Sequence, residues 1–373
     1  MDLKLTEEQR QIASSVEQLL ADASDSTRMR RAAFEGEGFD AALWAQLGEL
    51  GACGLHIPEA HGGLGLGVTE LVLVAEQLGR RLACVPWLES AVLAGTTIKS
   101  LDDAAVAARW LPSLASGERI VAQDIGLLAG APLAARPEGT GWRLDGVLPA
   151  VPAAMAAQWL LLPVQVQAGR LLLAVALDAP GVTRHPRTNH DATRPLAEVG
   201  LKNVQVPAAD CLGRGAAVDR ALARSRRLTA VVLAAELVGV AQQCLDLTVA
   251  HLAQRVQFGK PLATFQALKH RCAQMMVAVE LARSAALGAA REFDGGPHEG
   301  RALRLATMAR CLADDAAQYC TQEAIQLHGG VGFTWEFDPH LYFKRAQATR
   351  SWLGTSSEWR EHLAATLLDG AAA

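Results

Sequence analysis

Arginine, glutamine and phenylalanine stand at close spacing in RVQFGKPLATFQALKHR, Arg255 to Arg271. A guanidinium presents a planar fork of donors that matches phosphate oxygens two at a time. Gln257 and Gln266 add amides able to pair with a ribose or a phosphate, and Phe258 adds a flat apolar surface. The chemistry within reach is contact with a nucleotide diphosphate. Taken alone, the stretch is also a helical hairpin with a solvated arginine, because Gly259 and Pro261 stop one helix and another begins near Ala263. A second stretch, QLHGGVGF from Gln326 to Phe333, places Gly329 and Gly330 after a helix. Two glycines there either admit a ligand or another chain to the backbone, or cap the helix. A third, RSWLGTSSEWR from Arg350 to Arg360, reads as a helix end, a tight turn and a new helix start. Gly354, Thr355 and Ser356 can bring N–H groups and a hydroxyl to a ligand, but the residue such a turn would hold out is Leu353.

The elements that carry these stretches follow from pattern. Thr6 and Gln9 form a capping box, followed by an apolar face of Ile12, Val16, Leu19 and Leu20. A second amphipathic helix ends at Gly51, and the glycine-rich loop IPEAHGGLGLG over 57–67 reads as a flexible surface loop. Helices are predicted near 68–84, 86–99 and 102–115. From about Glu118 to Val206 short β-like runs alternate with Gly, Pro and Asp turns, the texture of a small antiparallel barrel or sandwich. Residues 217–254 contain no proline and one glycine, which predicts a single helix of about 57 Å. Further helices are predicted at about 262–291, 298–327 and 340–352, with a last one after the turn. The fold class is mainly α with a small β domain: a helical domain over 1–117, a β domain over 118–215, and a four-helix bundle over 216–373.

Composition bounds the function. The 373 residues are 50% hydrophobic with a formal net charge of −4, and no basic surface points to nucleic acid. The polar, acidic start MDLKLTEEQRQ lacks the features of a signal peptide, and the runs WLLLPVQV and TAVVLAAELVGVAQ are too short or too polar to span a bilayer. The seven cysteines show no metal spacing and read as reduced, buried thiols. The expectation is a cytoplasmic protein without metal and without membrane insertion.

The order Arg-x-x-Phe-Gly-x-Pro…Phe-Gln, then Gln-x-x-Gly-Gly-x-Gly-Phe, then Gly-Thr-Ser, set in this architecture, resembles the acyl-CoA dehydrogenase family over nearly the whole chain. The resemblance implies an FAD-binding, usually tetrameric protein that acts on acyl-CoA, removing the α proton as H⁺ and the β hydrogen as hydride. It also implies roles. Arg255 and Gln266 match residues that hold the FAD pyrophosphate region of a neighbouring subunit, and Gln257 and Phe258 match positions beside that contact. Gln326, Gly329 and Gly330 match the strip under the adenosine half, and Thr355 matches a threonine that touches the FAD of its own subunit.

The same comparison exposes departures. Abstracting a proton beside a thioester needs a carboxylate within hydrogen-bond reach. The family's usual position holds Leu353, and its alternative position, about 26 residues before the motif arginine, holds Thr229. Glu236, about 10 Å further along the helix, is the nearest carboxylate, and pairing or capping is the reading favoured for it over a relocated base. Glu336, Asp338 and Glu358 read as solvated charges, His328 and His340 as structural. In VAQDIGLLAGAPLAAR (121–136) and DGVLPAVPAAMAAQW (145–159), Ala, Val and Pro replace the hydroxyl residues that would bond the flavin ring. The subunit's own flavin cradle therefore looks eroded while the strip serving a neighbour's FAD survives. This favours a base-less partner subunit of an α2β2 complex with an acyl-CoA dehydrogenase homologue. The alternatives are a homotetrameric dehydrogenase using Glu236 and, behind it, a flavin-dependent monooxygenase of the same fold.

Overall fold

The computed structural model describes residues 4–127, 133–296 and 299–368. The helices are α1 (Glu7–Ala23), α2 (Ser26–Phe34), α3 (Ala41–Glu49), α4 (Val68–Arg80), α5 (Gly95–Lys99), α6 (Ala104–Ala115), α7 (Ala216–Gln254), α8 (Gln266–Asp294), α9 (Glu299–His328), α10 (Pro339–Thr349) and α11 (Ser356–Leu368). A π-helix, Trp87–Ala94, precedes α5. The strands are β1 (Val121–Gln123), β2 (Ala134–Glu138), β3 (Gly141–Pro152), β4 (Trp159–Val166), β5 (Gly169–Ala176), β6 (Val182–Arg187), β7 (Leu196–Val206), β8 (Cys211–Arg214), β9 (Val256–Gln257) and β10 (Lys260–Pro261). Helices, then sheets, then helices is the expected fold class. The chain packs into two compact units. One comprises Met1–Arg31, Gly67–Ala83 and Ala230–Ala373; the other comprises Ala32–Leu66 and Cys84–Thr229.

The second of these units holds two four-stranded sheets, ordered β1-β4-β5-β8 and β2-β3-β7-β6. All neighbours are antiparallel except β1 and β4, which run parallel. Pro163 is tolerated inside β4 because β1 pairs only as far as Leu161, so no strand needs the missing N–H on that side. Leu161 and Leu172 from the first sheet join Ile57, Ile98, Trp110, Leu111 and Leu114 in one apolar core. The glycine-rich loop is more constrained than its composition suggests. Leu64, Gly65 and Leu66 donate their amides to Gly54, Ile57 and Leu55, at 3.0, 2.9 and 2.8 Å. A β-carbon on Gly63 would stand 2.1 Å from the Ile57 carbonyl oxygen, so this close approach requires glycine.

In the other unit, α4 and α7 cross with their backbones in contact. A β-carbon on Gly79 would lie 2.1 Å from the Glu236 carbonyl oxygen, and one on Gly239 would lie 2.0 Å from that of Glu76. Arg283 of α8 reinforces the crossing, donating to Glu76 at 2.9 Å and to Gln242 at 2.8 Å. Asp294, ending α8, caps α4 by accepting from the Val68 and Thr69 amides at 2.6 and 3.1 Å. By length and composition α7 would cross a membrane, and the apolar run seen in sequence is only part of it. Yet 89% of that apolar window is buried inside the protein, so it is a core helix. Cys53, Cys84, Cys244, Cys311 and Cys320 are buried and all seven cysteines are free, as their spacing suggested.

His56 makes the stability of the sheet-bearing unit depend on acidity. Its ring is buried, Nε2 lies 3.1 Å from the Thr96 hydroxyl, and Nδ1 has no hydrogen-bond partner among the described residues. Burial, and then nearby Lys99, push its pKa down to about 3. The unfolded chain protonates this ring at about 6.5, so the unfolded state gains protons first as pH falls. Stability from this group is complete above about pH 6.5 and is lost toward pH 3, by about 1.4 kcal/mol per unit inside that window. Urea unfolding between pH 7 and 4 should show a steeper loss for the wild type than for His56→Leu. Parallel pH slopes for the two proteins would contradict this.

Candidate functional site

The turn at residues 350–356 is built on α9. Trp352 and Leu353 are buried, and the Trp352 amide returns to the Thr349 carbonyl at 3.0 Å. Leu353 sits in the left-handed region at φ +57° and Gly354 at φ +102°. A left-handed leucine is uncommon and costs about 1–2 kcal/mol. Arg310 of α9, fully buried, anchors the approach by donating to the Thr349 carbonyl at 3.0 Å. Burial pulls its guanidinium below its usual range, and Asp314 opposes that shift. Beyond the turn, the Thr355 hydroxyl accepts from the Glu358 amide at 3.2 Å, while Glu358 accepts from the Thr355 amide at 2.7 Å. This reciprocal pair is a capping box that starts α11. Glu358 is thus a helix cap that stays exposed, as a solvated charge should.

The other carboxylates read from sequence are also committed. Glu236 is buried and accepts from Arg345 of α10 at 2.7 Å. That is the paired reading, and it leaves this carboxylate facing a guanidinium. Asp338 is held by Arg30 at 2.7 Å. Glu336 stays exposed, and a hydrogen bond with Thr334 holds it below the usual carboxylate range. Thr229 is buried with its hydroxyl unpartnered among the described residues. His340 packs edge-on against Trp335 at 5.0 Å between ring centres, and burial lowers its pKa.

Five of the residues proposed to contact cofactor come together. Arg255, Gln257, Gln326, Gly329 and Gly330 line one hollow of about 700 Å³, joined by His251, Arg271, His328 and Phe337. The sequence positions them through helix ends. Arg255 follows the last turn of α7, and Gly329, at φ +65°, stops α9 as its cap while leaving the space above it open. Among the described residues, and apart from the adjoining backbone, no atom lies within 4 Å of where a β-carbon would stand on Gly329 or Gly330. Arg271 is held by Glu323, donating at 2.7 Å, and this pairing raises its pKa. Two guanidinia, two amides and a bare glycine pair fit the anionic and sugar parts of a dinucleotide.

Three residues lie outside that lining. Phe258 is 88% exposed at φ +52°, at the tip of the β9–β10 hairpin. Gln266 is the exposed first residue of α8, and Thr355 is engaged in capping α11. In the β3 segment expected to face a flavin ring, Ala150 and Val151 are buried. The backbone beyond is occupied by arginines: Arg184 donates to the Ala154, Met155 and Ala157 carbonyls at 3.1, 3.3 and 3.2 Å, and Arg187 to Pro149 at 3.0 Å. Of the companion stretch 121–136, residues 128–132 lie outside the described residues. His251 and Arg271 escaped notice in the sequence. The available signal was the i, i+4 spacing of His251 and Arg255, which puts both on one helix face.

Comparison with known proteins agrees with this architecture. The chain matches the family model for the acyl-CoA dehydrogenase N-terminal domain over residues 6–118 and that for the C-terminal domain over residues 213–368. The acyl-CoA dehydrogenase IpdE2 of Mycolicibacterium smegmatis is 32% identical over 369 residues, covering 96% of this chain and 98% of the relative. The acyl-CoA dehydrogenase FadE34 of Mycobacterium tuberculosis is 35% identical over 350 residues, 92% of this chain but 45% of the relative, so the chain spans about half of that protein. Among solved structures, the ChsE4–ChsE5 complex from Mycobacterium tuberculosis aligns with a TM-score of 0.90 at 27% identity, covering 99% of each chain. A variant of the Tcur3481–Tcur3483 steroid ACAD aligns at 0.86 and 29%, covering 98% of this chain and 99% of that one.

The buried pair gives a direct test. Arg345→Met strands the Glu236 carboxylate and should lower unfolding free energy by about 3–5 kcal/mol in urea, with the double change Glu236→Leu/Arg345→Met recovering most of it. Equal losses in the single and double variants would show the pair to be unimportant. Thr355→Ala should cost about 1 kcal/mol through the lost cap.

Proposed function

Since this chain belongs to the acyl-CoA dehydrogenase family, whose members oxidise the CH–CH bond of acyl-CoA thioesters with FAD, we propose that it serves as a base-less partner subunit of an α2β2 acyl-CoA dehydrogenase. The observation that carries this reading is the buried, left-handed Leu353 at the turn. Proton abstraction there would require a carboxylate. The second usual position is a buried threonine, and Glu236 is tied to Arg345. The relocated-base alternative therefore asks a carboxylate to leave a buried ion pair first, a step costing several kcal/mol.

On this reading the segment 216–373 carries the cofactor and oligomer contacts. Arg255, with Gln257 and Gln326, would hold the pyrophosphate and adenosine half of an FAD whose flavin ring lies on the base-bearing subunit. Gly329 and Gly330 would let that half approach the backbone. Bound FAD supplies a hydride acceptor; this chain's residues bind and orient it. Phe258 extends from the hairpin as an apolar contact for the neighbour. Surface apolar side chains on α8 (Met276, Val277, Leu281) and α9 (Met308, Leu312) are further candidates for burial in the assembly. Two of the similar structures carry paired names, ChsE4–ChsE5 and Tcur3481–Tcur3483, and the latter is called a steroid ACAD. They support a two-chain assembly here and a bulky acyl-CoA, a steroid derivative among them, as substrate class.

Purified alone, the chain should retain far less than one FAD per subunit and give no acyl-CoA-dependent dye reduction. Co-expression with a homologue that has glutamate before its Gly-Thr turn should restore both. Stoichiometric FAD and turnover by the chain alone would overturn the proposal. Within the assembled enzyme, Arg255→Ala should weaken FAD retention by about tenfold or more, while Glu236→Gln should leave kcat within a few-fold. A fall of several powers of ten for Glu236→Gln would instead identify it as the base.

A further inference from the structure

The floor of the hollow contains a feature that the FAD-contact reading leaves unused. His251 of α7 and His328 of α9 stack face to face, 4.3 Å between ring centres with planes 26° apart, and Phe337 meets both edge-on at 6.3 and 6.2 Å. His328 is buried, and its Nδ1 lies 2.7 Å from the Ala324 carbonyl oxygen. A carbonyl can only accept, so Nδ1 carries the proton. Burial, and then His251, lower the pKa of His328 against the opposing Ala324 hydrogen bond; burial and Arg255 lower that of His251. The neutral ring of His328 therefore has a bare Nε2 that can only accept. The charges around it are Arg255 just beyond α7, and Arg271 with its partner Glu323 on α8 and α9. Asp338 and Arg30 pair with each other beyond Phe337. The two guanidinia of the lining can only donate, which suits phosphate; an accepting ring suits a donor group on the nucleoside.

We propose that His328 Nε2 accepts a hydrogen bond from a donor on the nucleoside half of the bound dinucleotide, a ribose hydroxyl or the exocyclic amine of the base, with His251 as the positioning residue that fixes the ring. Three constraints act together on that ring: the Ala324 carbonyl sets its tautomer, the stacked His251 sets its plane, and Phe337 closes the edge. The assignment rests on the nucleotide reading of the hollow and adds to it a residue that reads the nucleoside, where the arginines recognise only charge.

The test uses the full chain and ADP as probe, by titration calorimetry at pH 7.5, with 2′-deoxy-ADP, 3′-deoxy-ADP and IDP as analogues each lacking one donor. Wild type should bind ADP about fivefold to tenfold more tightly than the analogue missing the recognised group. His328→Phe keeps an aromatic stack and should remove that preference, whereas His328→Gln, whose side-chain oxygen reaches a place similar to Nε2, should restore part of it. His251→Ala should reduce the preference and His251→Phe should keep it, a contrast that simple loss of folding would not produce. ADP binding that weakens in Arg255→Ala but shows the same analogue ratios in wild type and His328→Phe overturns the histidine assignment alone. Wild type that binds no ADP, and is indistinguishable from Arg255→Ala, overturns the nucleotide reading together with it.

Discussion

Glu236 and Arg345 lie 2.7 Å apart with both side chains buried, and the helical unit is arranged around that contact. Removing two charges from solvent is costly unless each meets the other in good geometry. The pair therefore constrains how α10 sits on α7, and α10 leads directly into the 350–356 turn. The α4–α7 crossing, closed on Gly79 and Gly239, packs backbone to backbone on the same stretch of α7, where Glu236 supplies both the side chain of the ion pair and the carbonyl that excludes a β-carbon from Gly79. Either contact loosened would release the other. A carboxylate with these duties is poorly placed to exchange a proton with a substrate.

The C-terminal motifs divide into a half that is open and a half that is filled. Around the hollow, donors, bare backbone and aromatic edges remain available to an occupant. At the turn, leucine faces inward, threonine and glutamate cap a helix, and a buried arginine holds the preceding carbonyl. Along β3 and just beyond it, apolar side chains are buried and arginines hold the backbone carbonyls. An open lining in one region and largely committed groups in the others are what the two sets of residue types produce.

Local rules were legible. The Thr6–Gln9 capping box forms as expected, and the proline-free stretch predicted over 217–254 is the single helix Ala216–Gln254. The helix-stopping role of Gly329 follows from glycine's access to positive φ, whereas the junction at Gly259 differs from the helical hairpin expected: α7 ends at Gln254 and a short strand pair, β9 and β10, precedes α8. Contacts between distant positions were not legible. Arg345 is 109 residues from Glu236, and nothing local to either names the other. The stack of His251 on His328 needs the ends of two helices to meet, and the parallel pairing of β1 with β4 depends on how the sheet closes. The π-helix Trp87–Ala94 is buried throughout, so its apolar sequence carries no period that would separate it from an α-helix.

Leu353 shows how the turn can hold its shape with an apolar residue at this position. A left-handed conformation disfavours any β-carbon by about 1–2 kcal/mol, and burying a leucine side chain returns about 1.5–3 kcal/mol. A carboxylate at the same φ gains nothing from burial and must find a donor or reach solvent. Leucine thus makes the strained residue an inward anchor, with burial offsetting the backbone cost at the same position. The capping box of Thr355 and Glu358 and the Arg310 hydrogen bond to Thr349 then hold both flanks, and neither draws on the side chain at 353. The turn's shape is separable from its chemistry, which is the condition under which a subunit can keep the family's packing while another chain supplies the base.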